Sequence, residues 1–314
     1  MEWYFIVLIV LGGLILLYTL FCVVIARVLL KAATTPTAHT IEHAREYQAK
    51  HEDMDYADYD VNWKKQPFEV DGVLGKIRGE IIFNPTTATR NKVAIICHGH
   101  TWNRINSLKY AYIFYNKGYN VIIYDHTYFG LSDGKYTTLG MNEKLDLSAV
   151  VDFARETFGK DAIVALHGES MGAATVLCEL AIRSDIDLVV ADCPFSNTMK
   201  YYRELCKHLT HLPGFPIVDF ANIMSKRKLG YDFKRVNPID GVKASNTPIC
   251  FIHGKADTYI RATHSEAMYQ VSANPLSELH LFEGAEHACS HCTDKALYVK
   301  TVGDFIDKVE AAIS

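Results

Sequence analysis

The apolar run Ala162-Ile163-Val164-Ala165-Leu166 leads into Gly168-Glu169-Ser170-Met171-Gly172, and an Ala- and Leu-rich stretch from Ala173 to Ile182 follows it. No other part of the chain restricts its fold so tightly. The run reads as a buried parallel strand and the stretch as a helix. The G-x-S-x-G pattern between them predicts a sharp turn that lifts the Ser170 hydroxyl above the end of a sheet. The two glycines are needed because so tight a turn leaves no room for side chains beside the serine. The same five-letter pattern recurs at Gly130-Leu131-Ser132-Asp133-Gly134. That copy follows the strand-like Val121 to Tyr124 only after a gap, and Lys135 to Gly140 is no helix, so Ser132 reads as a loop serine.

The rest of the chain fits around this unit. Phe68 to Val70, a turn at Asp71-Gly72 and Lys76 to Phe83 form an alternating strand pair closed by Asn84-Pro85. Strands and helices then alternate. Strands are predicted over Lys92 to Cys97, Asn120 to Tyr124, Ala162 to Leu166, Asp187 to Ala191, Pro248 to Ile252 and Leu279 to Phe282. Helices are predicted over Ser107 to Asn116, Glu143 to Phe158 and Lys295 to Ile313. Such alternation specifies an α/β fold, a mostly parallel central sheet with helices on both faces, whose ligands bind at the carboxyl ends of the strands. One segment breaks the pattern. At about 197–247 a single crossover helix gives way to a longer insertion with Tyr201, Leu205, Leu209, Phe215 and Ile223 at roughly helical spacing, read as a small helical cap able to line an acyl pocket.

The amino-terminal end is different in kind. Trp3 to Ile25 carries no charge, and at 1.5 Å per residue it spans roughly 35 Å, enough to cross a hydrocarbon core. A signal peptide would want a basic leader, a shorter apolar stretch and a small-residue cleavage site. Arg27, Lys31, Arg45 and Lys50 follow the span, so the positive-inside rule places the bulk of the protein in the cytoplasm as a single-pass protein of the cell membrane. The division expected is a transmembrane anchor at 1–33, a polar tether at 34–65 with a weak helical stretch near Thr40 to His51, and a globular domain at 66–314.

A serine hydroxyl needs a base to take its proton and a third group to orient that base. Strand ends supply both in the order serine, acid, histidine. Asp257 follows the strand ending at Ile252, and His287 follows the strand ending at Phe282. Asp192, at another strand end, is the competing acid. Two N–H groups should face the developing oxyanion. Met171, the residue after the serine, supplies one. His100, in the loop Cys97-His98-Gly99-His100-Thr101, is the choice for the second, with Thr101 next; His98 reads as a structural hydrogen-bonding residue.

Composition trims the alternatives. A net charge of −4 with scattered Lys and Arg argues against a nucleic-acid partner. Eight cysteines, several inside apolar patterns, read as free thiols of a reducing compartment. His287, Cys289, His291 and Cys292 crowd together, yet a zinc site normally draws ligands from two separated stretches and no second CxxC or HxxxH completes one, so no metal is expected.

From Lys92 onwards these residues resemble the serine hydrolases of the α/β-hydrolase superfamily, in particular a bacterial membrane-anchored lineage related to cinnamoyl esterases, acyl thioesterases and prolyl-oligopeptidase-like enzymes. The matching pieces are His98-Gly99-His100, Tyr124-Asp125 with the Gly130 to Gly134 loop, Glu143 with Asp146-Leu147, Gly168 to Gly172, Ile252-His253-Gly254 with Asp257, and Gly284-Ala285 with His287. One feature departs. Relatives usually carry an arginine soon after the loop aspartate, whereas His126-Thr127-Tyr128-Phe129 follows Asp125. The resemblance implies an α/β-hydrolase fold and hydrolysis of a small-molecule carboxylic ester or thioester, lipid-like substrates included, through an acyl-enzyme on Ser170, with no cofactor. A peptidase or amidase of prolyl-oligopeptidase type is the second reading, although the chain has no room for a propeller. A non-catalytic binding protein on a retained hydrolase fold is the third.

Overall fold

The computed structural model describes residues 2–52, 54–86 and 91–313. The chain begins with α1 (Trp3–Thr34) and α2 (Ile41–His51), then the strands β1 (Lys64–Gly72), β2 (Gly75–Phe83) and β3 (Lys92–Cys97). It continues through α3 (Leu108–Asn116), β4 (Asn120–Tyr124), α4 (Glu143–Phe158), β5 (Ile163–Glu169), α5 (Met171–Glu179) and β6 (Leu188–Asp192). The insertion holds α6 (Thr198–Thr210), α7 (Gly214–Leu229) and α8 (Pro238–Ala244). After it come β7 (Ile249–Gly254), α9 (Thr263–Tyr269), β8 (Glu278–Phe282), α10 (Ser290–Thr293) and α11 (Lys295–Ile313).

The eight strands form one sheet in the order β1-β2-β4-β3-β5-β6-β7-β8. The hairpin β1–β2 runs antiparallel to its neighbours and every later pair is parallel. Register explains why the strand ends matter. Cys97 pairs with Gly168, Glu169 with Asp192, Asp192 with Ile252, and Gly254 with Phe282. The loops leaving β3, β5, β6, β7 and β8 therefore emerge along one edge. Strands β5 and β7 are buried at every position, as expected where helices cover both faces of a parallel sheet.

Three apolar clusters organise the packing. Tyr110 and Phe114 of α3 with Tyr298 and Phe305 of α11 cover one face of the sheet. Leu147 and Val150 of α4 with Val176 of α5 cover the other. The third joins the insertion to the membrane-type helix, with Tyr202, Cys206, Ile217 and Val218 packed beside Cys22, Ala26 and Leu30 of α1. Cys22, Ala26, Leu30 and Thr34 are buried along α1 at intervals of four, one face of a helix, while Trp3, Leu8, Ile15 and Leu17 are among its exposed apolar residues.

The segment expected as a tether is fastened down. In α2, Thr40 caps the first turn by accepting from the His43 N–H. Gln48 is fully buried and donates to the Asn106 carbonyl at 2.9 Å. Just beyond, the buried Lys109 ammonium of α3 lies 2.9 Å from Glu52 and 2.8 Å from Glu169. Burial works against that charge, but the two carboxylates hold the ammonium well above its usual range. Removing one member of such a set leaves buried charge unpaired. Lys109→Met should lower stability by about 3–5 kcal/mol, read by chemical denaturation of the full chain in detergent.

Candidate active site

The turn after β5 is strained at Ser170. Ser170 has φ 54° and ψ −110°, a conformation that side chains rarely adopt. Its N–H donates to the Asp192 carbonyl at 2.8 Å, fixing the turn against β6. A Cβ on Gly172 would sit 2.1 Å from the Cys97 carbonyl oxygen, and one on Gly168 would sit 2.4 Å from the Gly172 backbone. Only glycine fits either place. Gly99 is held to the same standard, since its Cβ would lie 2.9 Å from Glu169 Oε1.

The structure brings Ser170, His287 and Asp257 together. Ser170 Oγ is 2.9 Å from His287 Nε2, and His287 Nδ1 is 2.7 Å from Asp257 Oδ2. A carboxylate accepts only, so Nδ1 carries the imidazole proton and Nε2 is free to accept from the serine hydroxyl. Asp257 Oδ1 accepts from the Tyr259 and Ile260 N–H groups at 2.9 and 2.8 Å. Burial alone would raise its carboxyl, but bonds from His253 and His287 and the Ile260 N–H outweigh it and hold the group well below the usual carboxylate range. His253 is a residue whose role the sequence did not disclose. It is fully buried, bonded through Nδ1 to Ser265 Oγ at 2.7 Å and through Nε2 to the Ile260 carbonyl at 2.7 Å, with Asp257 Oδ2 3.4 Å away.

Met171 and His100 line the same cavity of about 220 Å³ as Ser170 and His287. The His100 imidazole does not point at the reaction centre. Its Nε2 donates to the Ala33 carbonyl at 3.0 Å, and burial pushes its pKa down to about 4, so the ring is neutral. His98 pins the same loop, donating from Nδ1 to Gly99 O at 2.8 Å and accepting from the His126 N–H at 3.0 Å. Ser132, in the duplicate pattern, donates to the Asp125 carbonyl at 2.6 Å and accepts from the Arg78 N–H at 2.9 Å, a loop-fastening role.

The departure at Asp125 resolves in space. Arg104, in the loop after β3, reaches Asp125 Oδ2 at 2.7 Å through Nη1, and its own N–H donates to Oδ1 at 2.7 Å. The guanidinium also reaches Glu80 Oε1 at 2.9 Å. An arginine thus fixes the aspartate from a different strand end.

Cys193, Asp257 and His287 place three donor atoms within 4.8 Å of one another. His287 Nδ1 is already engaged with Asp257, and burial, followed by the Asp192 and Asp257 carboxylates, pushes the Cys193 thiol well up. A thiol so hard to ionise is a poor metal ligand. Cys289, His291 and Cys292 form no ligand group among the described residues. His291 is buried 3.6 Å from Glu52, and Cys292 donates to the Cys289 carbonyl at 3.3 Å.

Sheet order, strained serine turn and helical insertion define the class as an α/β-hydrolase fold. The protein-family model described as serine aminopeptidase, S33, matches residues 88–226. The chain is 38% identical over 219 residues to YqkD of Bacillus subtilis (strain 168), covering 68% of this chain and 71% of that protein. It is 27% identical over 197 residues to human ABHD12B, covering 59% and 51%. Among solved structures, the Pyrococcus furiosus esterase Pf2001 superposes with a TM-score of 0.64 at 24% identity, covering 81% of this chain and 96% of that one. Est1E from Butyrivibrio proteoclasticus, solved with ferulic acid bound, superposes with a TM-score of 0.61 at 20% identity, covering 78% and 99%. The chain belongs to the α/β-hydrolase superfamily.

Asp192, the competing acid, has no bond to His287 among the described contacts. Its Oδ2 lies 3.5 Å from the Tyr110 hydroxyl, and the Tyr298 hydroxyl also bonds the carboxyl. Burial first, then the Glu169 carboxylate, pushes its pKa up to about 7. A carboxyl raised on folding holds its proton in the native state after the unfolded chain has lost it, so it costs stability as pH rises from about 4 towards 7. Asp192→Asn should therefore raise stability at pH 8 and lose that advantage near pH 4, measured by chemical denaturation across the range.

Proposed function

We propose that the chain is a membrane-tethered serine hydrolase of carboxylic esters or thioesters. The carrying observation is the unbroken hydrogen-bond relay from Ser170 Oγ through His287 to Asp257. In this reading His287 Nε2 takes the hydroxyl proton as Ser170 Oγ attacks the acyl carbonyl carbon. Asp257 holds the ring in its tautomer and stabilises the imidazolium that forms. The N–H groups of Met171 and His100 face the oxyanion of the tetrahedral intermediate, where charge develops. Collapse breaks the bond to the alcohol or thiol, which leaves with the proton from His287. A water then gives a proton to His287 and attacks the acyl-Ser170 ester, releasing the acid and restoring the hydroxyl.

The peptidase reading draws support from the matched family, whose description is an aminopeptidase. An aminopeptidase must bind a substrate ammonium, which calls for an unpaired acid in the pocket. Glu169 is the one acid lining the cavity around Ser170 among the described residues, and Lys109, Tyr110 and Asn106 already occupy it. Esters and thioesters are therefore preferred to aminoacyl amides.

For α1 the proposal is a single membrane span with the domain on the cytoplasmic side. Its exposed apolar half suits lipid, and Arg27 and Lys31 are exposed just past the span. A removable signal sequence fits less well, because the buried face of α1 is part of the third cluster. Polar residues 34–65 then form the packed lead-in, and 66–314 the hydrolase domain.

A fluorophosphonate should label the intact protein in membranes, and Ser170→Ala should not be labelled. Asp257→Asn should lower kcat by about 10⁴-fold while the variant keeps the wild-type unfolding midpoint to within a few degrees. Equal labelling of the wild type and Ser170→Ala, or faster turnover of aminoacyl amides than of matched esters, would overturn the assignment.

A further inference from the structure

A second cavity, of about 90 Å³, lies against the first. Leu29, Leu30, Ala32 and Ala33 of α1 line it, facing Leu209 of α6 and Val218 of α7, and among the described residues no Asp, Glu, Lys or Arg lines it. The two cavities share His100, Leu139, Tyr201 and Tyr259. The two cavities therefore adjoin at these four residues, one reaching the membrane-type helix and the other the serine.

The carboxyl end of α1 is also bonded to the loops of the site. The last carbonyls of a helix have no partner within it. Here the Ala33 carbonyl accepts from His100 Nε2 at 3.0 Å, and the Thr34 carbonyl accepts from the Thr137 N–H at 2.9 Å. The chain just after α1 continues the connection. The Thr101 carbonyl accepts from the His39 N–H at 2.8 Å, and the Tyr128 hydroxyl donates to Pro36 O at 2.6 Å.

Helix α1 has 32 residues, roughly 48 Å against a hydrocarbon core of about 30 Å. The surplus of about a dozen residues coincides with the buried face and the cavity lining. Arg27 and Lys31 are exposed on this stretch, where cationic side chains meet lipid headgroups. Leu209, Phe215 and Ile223 leave large apolar side chains exposed on the cap. The cavity thus begins within about two turns of the hydrocarbon boundary.

We infer that α1 is a wall of the acyl-binding pocket, and that the substrate is a membrane-resident acyl ester or thioester whose chain passes from the bilayer between α1 and the cap, bringing its carbonyl to Ser170. This rests on the reading of Ser170 as nucleophile. Energetics favour the route. Moving a chain through water exposes its methylenes to solvent, whereas passage from lipid to an apolar cavity exposes almost none. A tether alone would not require α1 to line the pocket or to bond the loop that carries His100.

The test uses the full-length protein in phosphatidylcholine vesicles and a long-chain alkyl fluorophosphonate with a diazirine on its terminal carbon. The expected result is an adduct on Ser170 with photocrosslinks in the stretch Leu29 to Ala33. A Ser170 adduct without crosslinks in that stretch overturns the inference and leaves the nucleophile standing. Absence of any Ser170 adduct overturns the nucleophile, and the inference with it. Independently, Ala32→Phe and Leu209→Trp, both at exposed positions, should lower the ratio of long-chain to acetyl ester kcat/KM by about tenfold or more. Leu17→Phe, on the lipid-exposed part of α1, should keep the wild-type ratio. Unchanged ratios in both pocket variants would also overturn the inference.

Discussion

The backbone at Ser170 is the constraint on which the rest of the site depends. A non-glycine residue held at φ 54° stores on the order of 1–3 kcal/mol of strain, and something must hold it there. Three contacts do so: the Ser170 N–H on the Asp192 carbonyl, the Gly172 backbone against the Cys97 carbonyl, and Gly168 against Gly172. Each binds the turn to a neighbouring strand or to its own helix. The fully buried β5 and α5 on either side supply rigid packing that offsets the strain. Because β3, β5, β6, β7 and β8 end in register, Asp192 at the end of β6 and the loops carrying His100, Asp257 and His287 lie at the height of that turn.

Much of this was legible in the sequence because a parallel sheet writes its strands as unbroken apolar runs. Lys92 to Cys97, Asn120 to Tyr124 and the helix Glu143 to Phe158 coincide with the observed bounds. The setting of Gly168 to Gly172 separated Ser170 from Ser132 for a physical reason. One pattern sits between a strand and a helix, and the other closes a loop through the Asp125 carbonyl. Partners assembled from distant segments left weaker marks. Arg104 precedes Asp125 by 21 residues, so a pattern that looks for arginine after the aspartate misses it. His253 lies beside Asp257 in sequence, but its part in depressing the carboxyl depends on Ser265 and Ile260 orienting the ring. Polar residues such as Gln48, Glu52 and Lys109 carry no apolar signal, and they are buried because Gln48 bonds to Asn106 and Lys109 pairs with Glu52.

Helix α1 shows a different limit. Lipid and protein interior are similarly apolar, so a span that also packs on its own domain shows little amphipathic contrast. The sole trace is the i, i+4 spacing of Cys22, Ala26, Leu30 and Thr34, with two small residues that let α7 approach closely. The same polarity argument explains the end of the helix. Its final carbonyls face the domain, and the domain answers with the His100 imidazole and the Thr137 N–H.

The three clusters therefore divide the work. The two that cover the sheet hold the strand ends and, through them, the geometry around Ser170; neither contains α1 or the α6–α7 part of the insertion, whereas Val242 of α8 belongs to the second. The third contains both, together with Met171 and Phe129 from the loops of the site. Changes among the α1, α6 and α7 members of the third cluster can reshape the pocket while the sheet edge stays fixed. The coupling is direct, because His100 belongs by its backbone to the loop beside Ser170 and by its side chain to the end of α1. A shift of that helix would reach the loop beside Ser170 through one hydrogen bond.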